Sequence, residues 1–272
     1  MNDLSISIVI VTYNSAAVIG PCLNAIGKDL HPSVILVDNN SSDSTITIAR
    51  IYGIKVLPLP RNIGFGQAAN RGALASDAQF LCFLNPDCEP GENFFSHGVE
   101  AVQDFRLSCG VPKFTGGDST PTRGRQPGYT VLKLLSDIIL TNYGCALICR
   151  HISRFPGFHN TGWFWPHGAC LFIHRKTFLG IHGFSPRYFM YMEDVVLGRN
   201  LVRSGGEILE FDAFLVHREG KGARISTQHR RRLLNRARCL YALDYHGAWL
   251  AILMGAMALP AELLQRLWER RQ

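Results

Sequence analysis

An amide and a carboxylate stand where an α/β protein usually places its chemistry. Asn85 and Asp87 directly follow the apolar run Leu81 to Leu84, which predicts a short buried strand ended by Pro86. Ligands of an open α/β sheet bind beyond the carboxyl ends of its strands. Asp87 is therefore a candidate ligand for a hard divalent cation that also binds phosphate oxygens. The competing interpretation is an Asx-turn, in which these side chains only cap a loop.

A second pair of acids, Glu193 and Asp194, precedes the segment Val195 to Ser204, which predicts a helix. Acids at this position are often favoured only by the helix dipole. The functional alternative makes one of them a general base that takes a proton from a hydroxyl. Farther along, His217 ends a predicted strand before a glycine-rich basic loop, where it could bind metal or phosphate or be purely structural.

The elements that must position these residues alternate between strand and helix. Short β-branched runs separated by amphipathic helices are typical of a parallel, doubly wound sheet. The predicted elements of the first part are the strands Leu4 to Asn14, Val34 to Asp38 and Ile54 to Leu57, and the helices Ala16 to Ile26 and Thr45 to Tyr52.

Polar residues end the first two of these strands. The first offers Thr12, Tyr13 and Asn14, and the second ends on Asp38. A carboxylate at that place can accept hydrogen bonds from a ribose or a base edge. The alternative, in which Asp38 only caps the following turn, is equally compatible with the spacing.

The segment from Arg61 to Gly72 contains Gly64-x-Gly66-x-x-Ala69, which is similar to a dinucleotide fingerprint. That fingerprint should connect the first strand to the first helix, whereas this one follows the third strand, so we reject it. The segment instead predicts a loop that enters a helix. Its glycines would allow close approach of the backbone to a ligand, Arg61 could meet a diphosphate, and Asn70 could face the site.

The periodic hydrophobic pattern is weaker in the remaining part of the chain. Beyond residue 112 the glycine- and proline-rich stretch 116–128 predicts a mobile loop. The other predicted elements are the helices Gly91 to Gln103 and Leu132 to Ile148, and the strands Leu107 to Val111, Pro166 to Arg175, Ile208 to Phe211 and Ala213 to Val216.

Composition restricts the partners. The 272 residues carry a net charge of +7, concentrated late in the chain at 229–238 and 266–271, which favours an anionic surface. The eight cysteines form no Cys-x-x-Cys pair, which argues against zinc and favours free thiols in a reducing compartment. We predict no signal peptide, and the apolar run Ala248 to Leu259 is too short to span a bilayer.

Six motifs together resemble family 2 inverting glycosyltransferases, which have the GT-A fold, and in particular their bacterial rhamnosyltransferase-like members. The resemblance covers about residues 5–220. The motifs are, in order, Val11-Thr-Tyr-Asn14, Val37-Asp-Asn-Asn-Ser-Ser-Asp43, Arg61-Asn-x-Gly-Phe65, Asn85-Pro-Asp87, Met192-Glu-Asp194 and His217.

The resemblance implies a role for each matching residue. Asp194 would be the base, while Asp87, helped by His217, would ligate Mg²⁺ or Mn²⁺ on the diphosphate. Apart from the resemblance, the neighbouring carboxylate Glu193 could raise the pKa of Asp194 and make it a better base. Asn85 replaces the first acid of the family's Asp-x-Asp motif, which weakens a direct role in metal binding. The residues implied for nucleotide-sugar binding, with Asp38 on the base, are Thr12, Tyr13, Asn14, Asp38, Arg61, Asn62, Gly64, Asn70 and Asn85.

The resemblance also implies substrates. The donor would be a nucleotide-diphospho-sugar, with dTDP-rhamnose as the first choice and a UDP-sugar as the alternative. The acceptor would be a saccharide hydroxyl, carried on a polyprenyl diphosphate, in cell-surface polysaccharide synthesis. A catalytically silent sugar-nucleotide-binding scaffold is the main competing class. A nucleotidyltransferase would need a basic glycine-rich loop after the first strand, which Tyr13-Asn-Ser-Ala-Ala17 does not supply.

The predicted domains are a catalytic domain at 1–225 and a basic amphipathic helical tail at 226–272. The catalytic domain divides into a nucleotide-sugar-binding half (about 1–112) and an acceptor half (113–225). We expect the tail to lie in an anionic membrane interface with Trp249 and Trp268 as anchors, which would place the protein peripherally on the inner face of the cytoplasmic membrane. The alternatives are packing on the catalytic domain and a homodimer contact. Nucleic-acid binding is disfavoured, because aliphatic residues rather than stacking aromatics interrupt the basic run.

Overall fold

The computed structural model describes residues 5–104, 107–116, 122–155, 157–158, 161–218 and 226–269, without the side chains at 114, 115 and 262–269. The chain forms two compact units. The first comprises residues 1–126, 164–189 and 193–224, and the second comprises 127–163, 190–192 and 225–272. The division at residue 225 stays a prediction.

The elements follow one another in a mixed α/β order. They are β1 (Ile6–Thr12), α1 (Ala16–Ile26), a 3-10 helix (Lys28–Ser33), β2 (Val34–Asp38), α2 (Thr45–Ile51), β3 (Lys55–Pro58), α3 (Phe65–Leu74), β4 (Phe80–Leu84), β5 (Cys88–Pro90), α4 (Phe94–Gln103), β6 (Ser108–Gly116), β7 (Thr122–Arg123), β8 (Arg125–Pro127), α5 (Val131–Tyr143), α6 (Ala146–Ile152), β9 (Phe164–Pro166), β10 (Cys170–His174), α7 (Arg175–Gly180), α8 (Glu193–Arg203), β11 (Glu207–His217), α9 (Thr227–His246) and α10 (Ala248–Glu269).

The central sheet has the strand order β3-β2-β1-β4-β10-β6-β11-β5. Strands β3, β2, β1 and β4 are parallel, as the alternation of strands and helices predicts. Strand β10 enters antiparallel between β4 and β6, and β11 then pairs parallel with β6 and antiparallel with β5. The carboxyl ends of β1, β2 and β4 therefore lie along one edge, where the predicted site residues begin.

The sheet is buried on both faces. Alternate residues of one strand contribute to opposite layers: Ile8 and Ile10 of β1 belong to one core cluster, and Val9 and Val11 to the other. Burial on both faces explains why the strands are almost continuously apolar rather than alternating with polar residues.

Three of the predictions were wrong in detail. The strands predicted at Ile208 to Phe211 and Ala213 to Val216 are one strand, β11, whose register shifts between Phe211 and Phe214. The single helix predicted at Leu132 to Ile148 is divided at Gly144, which ends α5 with a left-handed φ of 63°. Part of the loop predicted at 116–128 forms β7 and β8, and residues 117–121 lie outside the described chain.

The second unit is helical. Asn142 of α5 and Asn235 of α9 exchange amide hydrogen bonds of 3.1 and 2.9 Å. Arg238 of α9 donates to the side chains of Asp137 (3.4 Å) and Thr141 (2.6 Å) of α5. Among the described residues, no helix combines the length and the apolarity that crossing a membrane requires.

Candidate active site

The ends of β1 and β2 are joined through the carboxylate of Asp38. The parallel register aligns Thr12 with Asp38, and the Thr12 hydroxyl donates to Asp38 Oδ1 (3.0 Å). The hydroxyl and the backbone N–H of Ser41 also donate to the carboxylate (2.6 and 2.8 Å). Asp38 is buried and caps the turn after β2. A carboxylate has about four acceptor positions, and these hydrogen bonds occupy three of them. Contact of Asp38 with a base or ribose stays a prediction.

The neighbouring loop residues hold the turns at this edge. Asn14 Oδ1 accepts hydrogen bonds from the N–H and hydroxyl of Ser42 (2.8 and 3.2 Å), while Tyr13 is exposed. Asn39, which the sequence analysis did not single out, is buried and donates to the Gly64 carbonyl (3.2 Å) while accepting from the Ile63 N–H (2.9 Å).

The loop before α3 is fixed on the protein itself. Arg61 is exposed, and Asn62 Oδ1 accepts a hydrogen bond from the Gly64 N–H (2.9 Å). Gly64 has a φ of 88°, and a Cβ added there would lie 2.2 Å from the carbonyl oxygen of Phe189. The close backbone approach at Gly64 is thus to Phe189. That contact explains why position 64 requires a glycine, independently of any ligand.

Asn70 also contacts the chain rather than open space. Its amide donates to the Phe184 carbonyl (2.8 Å) and accepts from the Phe184 N–H (3.0 Å). Both functions of the carboxamide therefore hold the loop that begins at Phe184. Contact of Asn70 with a donor substrate stays a prediction.

Asp87 and His217 lie together although 130 positions separate them in the chain. Strand β5 pairs antiparallel with the end of β11, in a register that aligns Cys88 with His217. Asp87 Oδ1 and His217 Nε2 are 3.3 Å apart, with side chains only 12% and 10% exposed. Asn85, two residues before Asp87, donates its backbone N–H to the Ala169 carbonyl (2.9 Å). The sheet thus assembles the two predicted metal ligands.

The pair fits a hard divalent cation. Two adjacent ligands of an octahedral ion with bonds of about 2.1 Å are roughly 3 Å apart, close to the observed separation. The sulfur of Cys88 is also near, within 4.8 Å of the other donor atoms. Its thiol donates to the Ala169 carbonyl (3.5 Å), and burial raises its pKa well above the ordinary value. A protonated thiol is a poor ligand for Mg²⁺ or Mn²⁺.

A bidentate ion pair holds β5 against the end of β11. Arg218 donates to both carboxylate oxygens of Glu89 (2.5 and 3.2 Å), and its backbone N–H donates to the Asp87 carbonyl (3.0 Å). We call the Arg218–Glu89 pair the strand clamp. It fixes the backbone of both candidate metal ligands, and no sequence pattern pointed to it, because the partners meet only through the pairing of β5 with β11.

Glu193 and Asp194 form the first turn of α8. The two residues before them, Tyr191 and Met192, both have left-handed φ values, of 70° and 69°. Consecutive side-chain-bearing residues in this region are rare, and such backbone is concentrated at functional sites. Asp194 accepts from the N–H groups of Gly168 (3.0 Å) and Val195 (2.8 Å). Glu193 is 8% exposed, and its Oε2 is buried with no hydrogen-bond partner among the residues that the structure describes.

Burial raises the pKa values of these two acids by different amounts. Loss of solvent raises the pKa of Glu193 from 4.5 to about 8, and the neighbouring charge of Asp194 adds to that rise. Loss of solvent also raises the pKa of Asp194 from 3.8 to about 6, against the opposing hydrogen bonds from Val195 and Gly168. Between these two values the coupled pair holds one proton. The charge interaction between the two acids is mutual, and the expected effect of Glu193 on the pKa of Asp194 stays a prediction.

The segment His167-Gly168 connects the acids to the metal-ligand pair. Gly168 donates to Asp194, and the ring of His167 lies edge-on to that of His217 with centroids 6.2 Å apart. The segment is held by the His167 N–H, which donates to the Gly124 carbonyl (2.7 Å). His167 was missed by the sequence analysis, since a lone histidine before a glycine carries no recognisable pattern. The ends of β4, β11 and α8 thus contribute to one site.

Comparisons with known proteins identify similar sequences and similar folds. The chain is 26% identical, over all of its length and 96% of the relative's, to N-acetylglucosaminyl-diphospho-decaprenol L-rhamnosyltransferase of Mycobacterium tuberculosis. Its fold is similar to a mannosyltransferase of Pyrobaculum calidifontis in complex with GDP-Man and Mn²⁺ (TM-score 0.59, 14% identity, covering 98% of this chain and 79% of that one). It is also similar to glucosyl-3-phosphoglycerate synthase of M. tuberculosis with Mn²⁺ and UDP (TM-score 0.56, 17% identity, 87% and 78%).

These structural likenesses confirm the predicted GT-A glycosyltransferase fold. The Glycosyl transferase family 2 model matches residues 7–197, which include both candidate acids of α8 and all four strands of the parallel half-sheet. The chain is a glycosyltransferase that belongs to family 2.

Proposed function

We propose that the protein transfers a sugar, rhamnose from dTDP-rhamnose, to a hydroxyl of a saccharide carried on a polyprenyl diphosphate. The observation that carries this proposal is the similarity over the whole chain to a rhamnosyltransferase whose named acceptor is N-acetylglucosaminyl-diphospho-decaprenol. The alternative donor is a UDP-sugar, and the alternative class is a silent nucleotide-sugar-binding scaffold. Synthesis of a cell-surface polysaccharide is the matching biological setting.

The proposed reaction inverts the anomeric configuration. Asp194 accepts the proton of the acceptor hydroxyl while that oxygen attacks the anomeric carbon, and the bond from this carbon to the diphosphate oxygen breaks on the opposite face. A general base works best with a pKa near the working pH. The pKa of about 6 at Asp194 supports this role, because the group is ionised at pH 7 and still basic. Gly168 and Val195 fix the orientation of the carboxylate.

Asp87 and His217 would hold the cation, Mg²⁺ or Mn²⁺. A divalent cation supplies positive charge to the departing nucleoside diphosphate. The strand clamp keeps the two side chains in register, and Asp38 and Thr12 would orient the base and ribose at the next strand ends.

A thermal-shift screen tests the proposal. We expect one of dTDP, UDP and GDP to raise the Tm in the presence of Mn²⁺, and expect Asp87→Ala to lose that shift. Asp77→Ala, which removes an acid of the loop before β4, is the matched control. A rise in Tm with dTDP but not with UDP or GDP, together with turnover of dTDP-rhamnose, would support the proposal. Selective binding of UDP would reassign the donor, and binding without turnover on any lipid-linked saccharide would favour the scaffold.

We further propose that α9 and α10 lie against an anionic membrane, peripherally on the inner face of the cytoplasmic membrane. One side of α10 is buried at Leu250 and Met254, whereas Trp249 and Ile252 are 59% and 71% exposed. The side chain of Trp268 lies outside the described residues. Because removal of the tail would expose buried residues of α5, substitution of Trp249 and Ile252 by Ser is the better test. Loss of binding to anionic vesicles is the expected result, and a change from dimer to monomer instead would favour the homodimer.

A further inference from the structure

The short helix α6 presents apolar side chains to solvent. None of its seven residues is buried. Leu147 is 82% exposed, more than any other large hydrophobic residue of the described chain, and Ile148 is 50% exposed. Phe155, just after the helix, is 57% exposed. A cluster of exposed aliphatic and aromatic residues in one short segment indicates a surface that binds a partner.

The charged residues in and just after α6 are all basic. No Asp or Glu occurs anywhere between residues 138 and 192, whereas Arg150 lies two residues after Ile148 and Arg154 directly precedes Phe155. In the part of the chain that the structure describes, neither arginine takes part in an ion pair. The second unit holds 11 Lys and Arg against 4 Asp and Glu, so it accounts for the whole net charge of +7. Its partner should therefore be anionic.

The neighbouring helices extend this surface within the second unit. Leu140 and Tyr143, at the end of α5, are each 47% exposed. The Tyr143 hydroxyl donates to the Met257 carbonyl of α10 (2.6 Å), which holds the end of α5 beside α10. The exposed apolar residues of α10 thus belong to the same unit as those of the α5–α6 hairpin.

We propose that the α6 segment (residues 144–155) is a membrane-docking tip that inserts Leu147, Ile148 and Phe155 among anionic lipids. Arg150 and Arg154 would contact the headgroups. Amphipathic helices bind bilayers through this combination of apolar insertion and basic contact. A second copy of the chain is a poorer occupant, because a symmetric contact through α6 would oppose the arginines of both copies. The proposal adds an element outside the C-terminal tail and does not depend on the transfer reaction.

Vesicle co-sedimentation of the full chain tests the tip. Vesicles of phosphatidylcholine with phosphatidylglycerol are compared with vesicles of phosphatidylcholine alone. We expect Leu147→Glu with Ile148→Glu to weaken binding to the anionic vesicles at least tenfold. The matched control is Ile51→Glu with Leu74→Glu, which changes residues of the first unit that are 79% and 61% exposed. The control should bind like the wild type, and equal loss in both variants would overturn the proposal.

The arginines are tested separately. Arg150→Gln with Arg154→Gln should weaken binding by about fivefold per arginine, since each basic residue near an anionic surface contributes about 1 kcal/mol. The exposed Arg50→Gln is the control. Binding that only the substitutions at Trp249 and Ile252 abolish would assign the membrane contact to the tail and refute the tip. Loss of self-association with unchanged vesicle binding would refute it in favour of a second copy. The dTDP thermal shift should be unchanged in every tip variant, so failure here is distinct from failure of the proposed reaction.

Discussion

The stability of the Glu193→Gln variant relative to the wild type should increase as the pH rises. Glu193 is 8% exposed, and burial raises the pKa of its carboxyl from 4.5 to about 8. The folded chain therefore binds more protons than the unfolded chain between these two pH values. Stability then falls as the pH rises through this window. Glutamine has the shape of the protonated acid and cannot ionise, so Glu193→Gln removes this loss.

The magnitude follows from the width of the window. Each pH unit between the two pKa values changes the free energy of unfolding by about 1.4 kcal/mol. From pH 5 to pH 8 the wild type should lose roughly 4 kcal/mol that Glu193→Gln keeps. For a chain of this size, 1 kcal/mol corresponds to about 2 °C in Tm. The difference in Tm between variant and wild type should therefore grow by roughly 8 °C over this range.

Thermal unfolding of both proteins at pH 5 and pH 8 measures this difference. Asp194 titrates in both proteins, so its contribution cancels in the comparison. Glu92→Gln, which removes an exposed carboxyl, is the control and should leave the pH dependence of Tm unchanged. A Tm difference between Glu193→Gln and wild type that stays constant from pH 5 to pH 8 would refute the assignment of a buried, protonated Glu193.

Four further outcomes are expected. Because Asp194 must be ionised to act as base, kcat/KM should fall about tenfold per pH unit below a pKa of about 6. The variant Asp194→Asn should be roughly 10²–10⁴-fold less active than the wild type, while dTDP should still raise its Tm. Glu89→Gln removes the acid of the strand clamp and should weaken Mn²⁺-dependent donor binding about tenfold or more, measured by calorimetry, because the backbone of Asp87 is no longer fixed. Gly64→Ala places a Cβ 2.2 Å from the Phe189 carbonyl oxygen at a φ of 88° and should destabilise the fold by about 2 kcal/mol or more in urea unfolding; an unchanged midpoint would contradict that contact.

The first half of the fold could be predicted because its information is local. Strands β1 and β2 are short apolar β-branched runs, and the helices between them have regular apolar spacing. The second half depends on pairing between distant segments. Strand β10 lies antiparallel between β4 and β6, and nothing within Cys170 to His174 specifies either neighbour. The break at Gly144 was legible in principle, since a glycine after an apolar helix predicts a left-handed cap.

The sequence indicated which residues belong to the candidate site, but it did not indicate which residues they contact. Strand ends identified Asp38 and Asp87, and the ordered motifs added His217. Their partners could not be inferred, because Asp87 meets His217 only through the register of β5 with β11. The same holds for Asn39, whose amide fixes the loop before α3 from a position that looks like an ordinary turn residue.

The acids of α8 show how burial decides between two interpretations that the sequence left open. Favourable interaction with the helix dipole contributes about 0.3–1 kcal/mol and acts by favouring the ionised form. At Glu193 the pKa rises from 4.5 to about 8, which corresponds to roughly 5 kcal/mol against the ionised form. The dipole is both too weak and of the wrong sign to explain this group. An acid kept there for capping would stay ionised, whereas burial raises the pKa of both Glu193 and Asp194. The pair therefore retains a proton near neutral pH, which is the behaviour expected of a site that moves a proton and not of a helix cap.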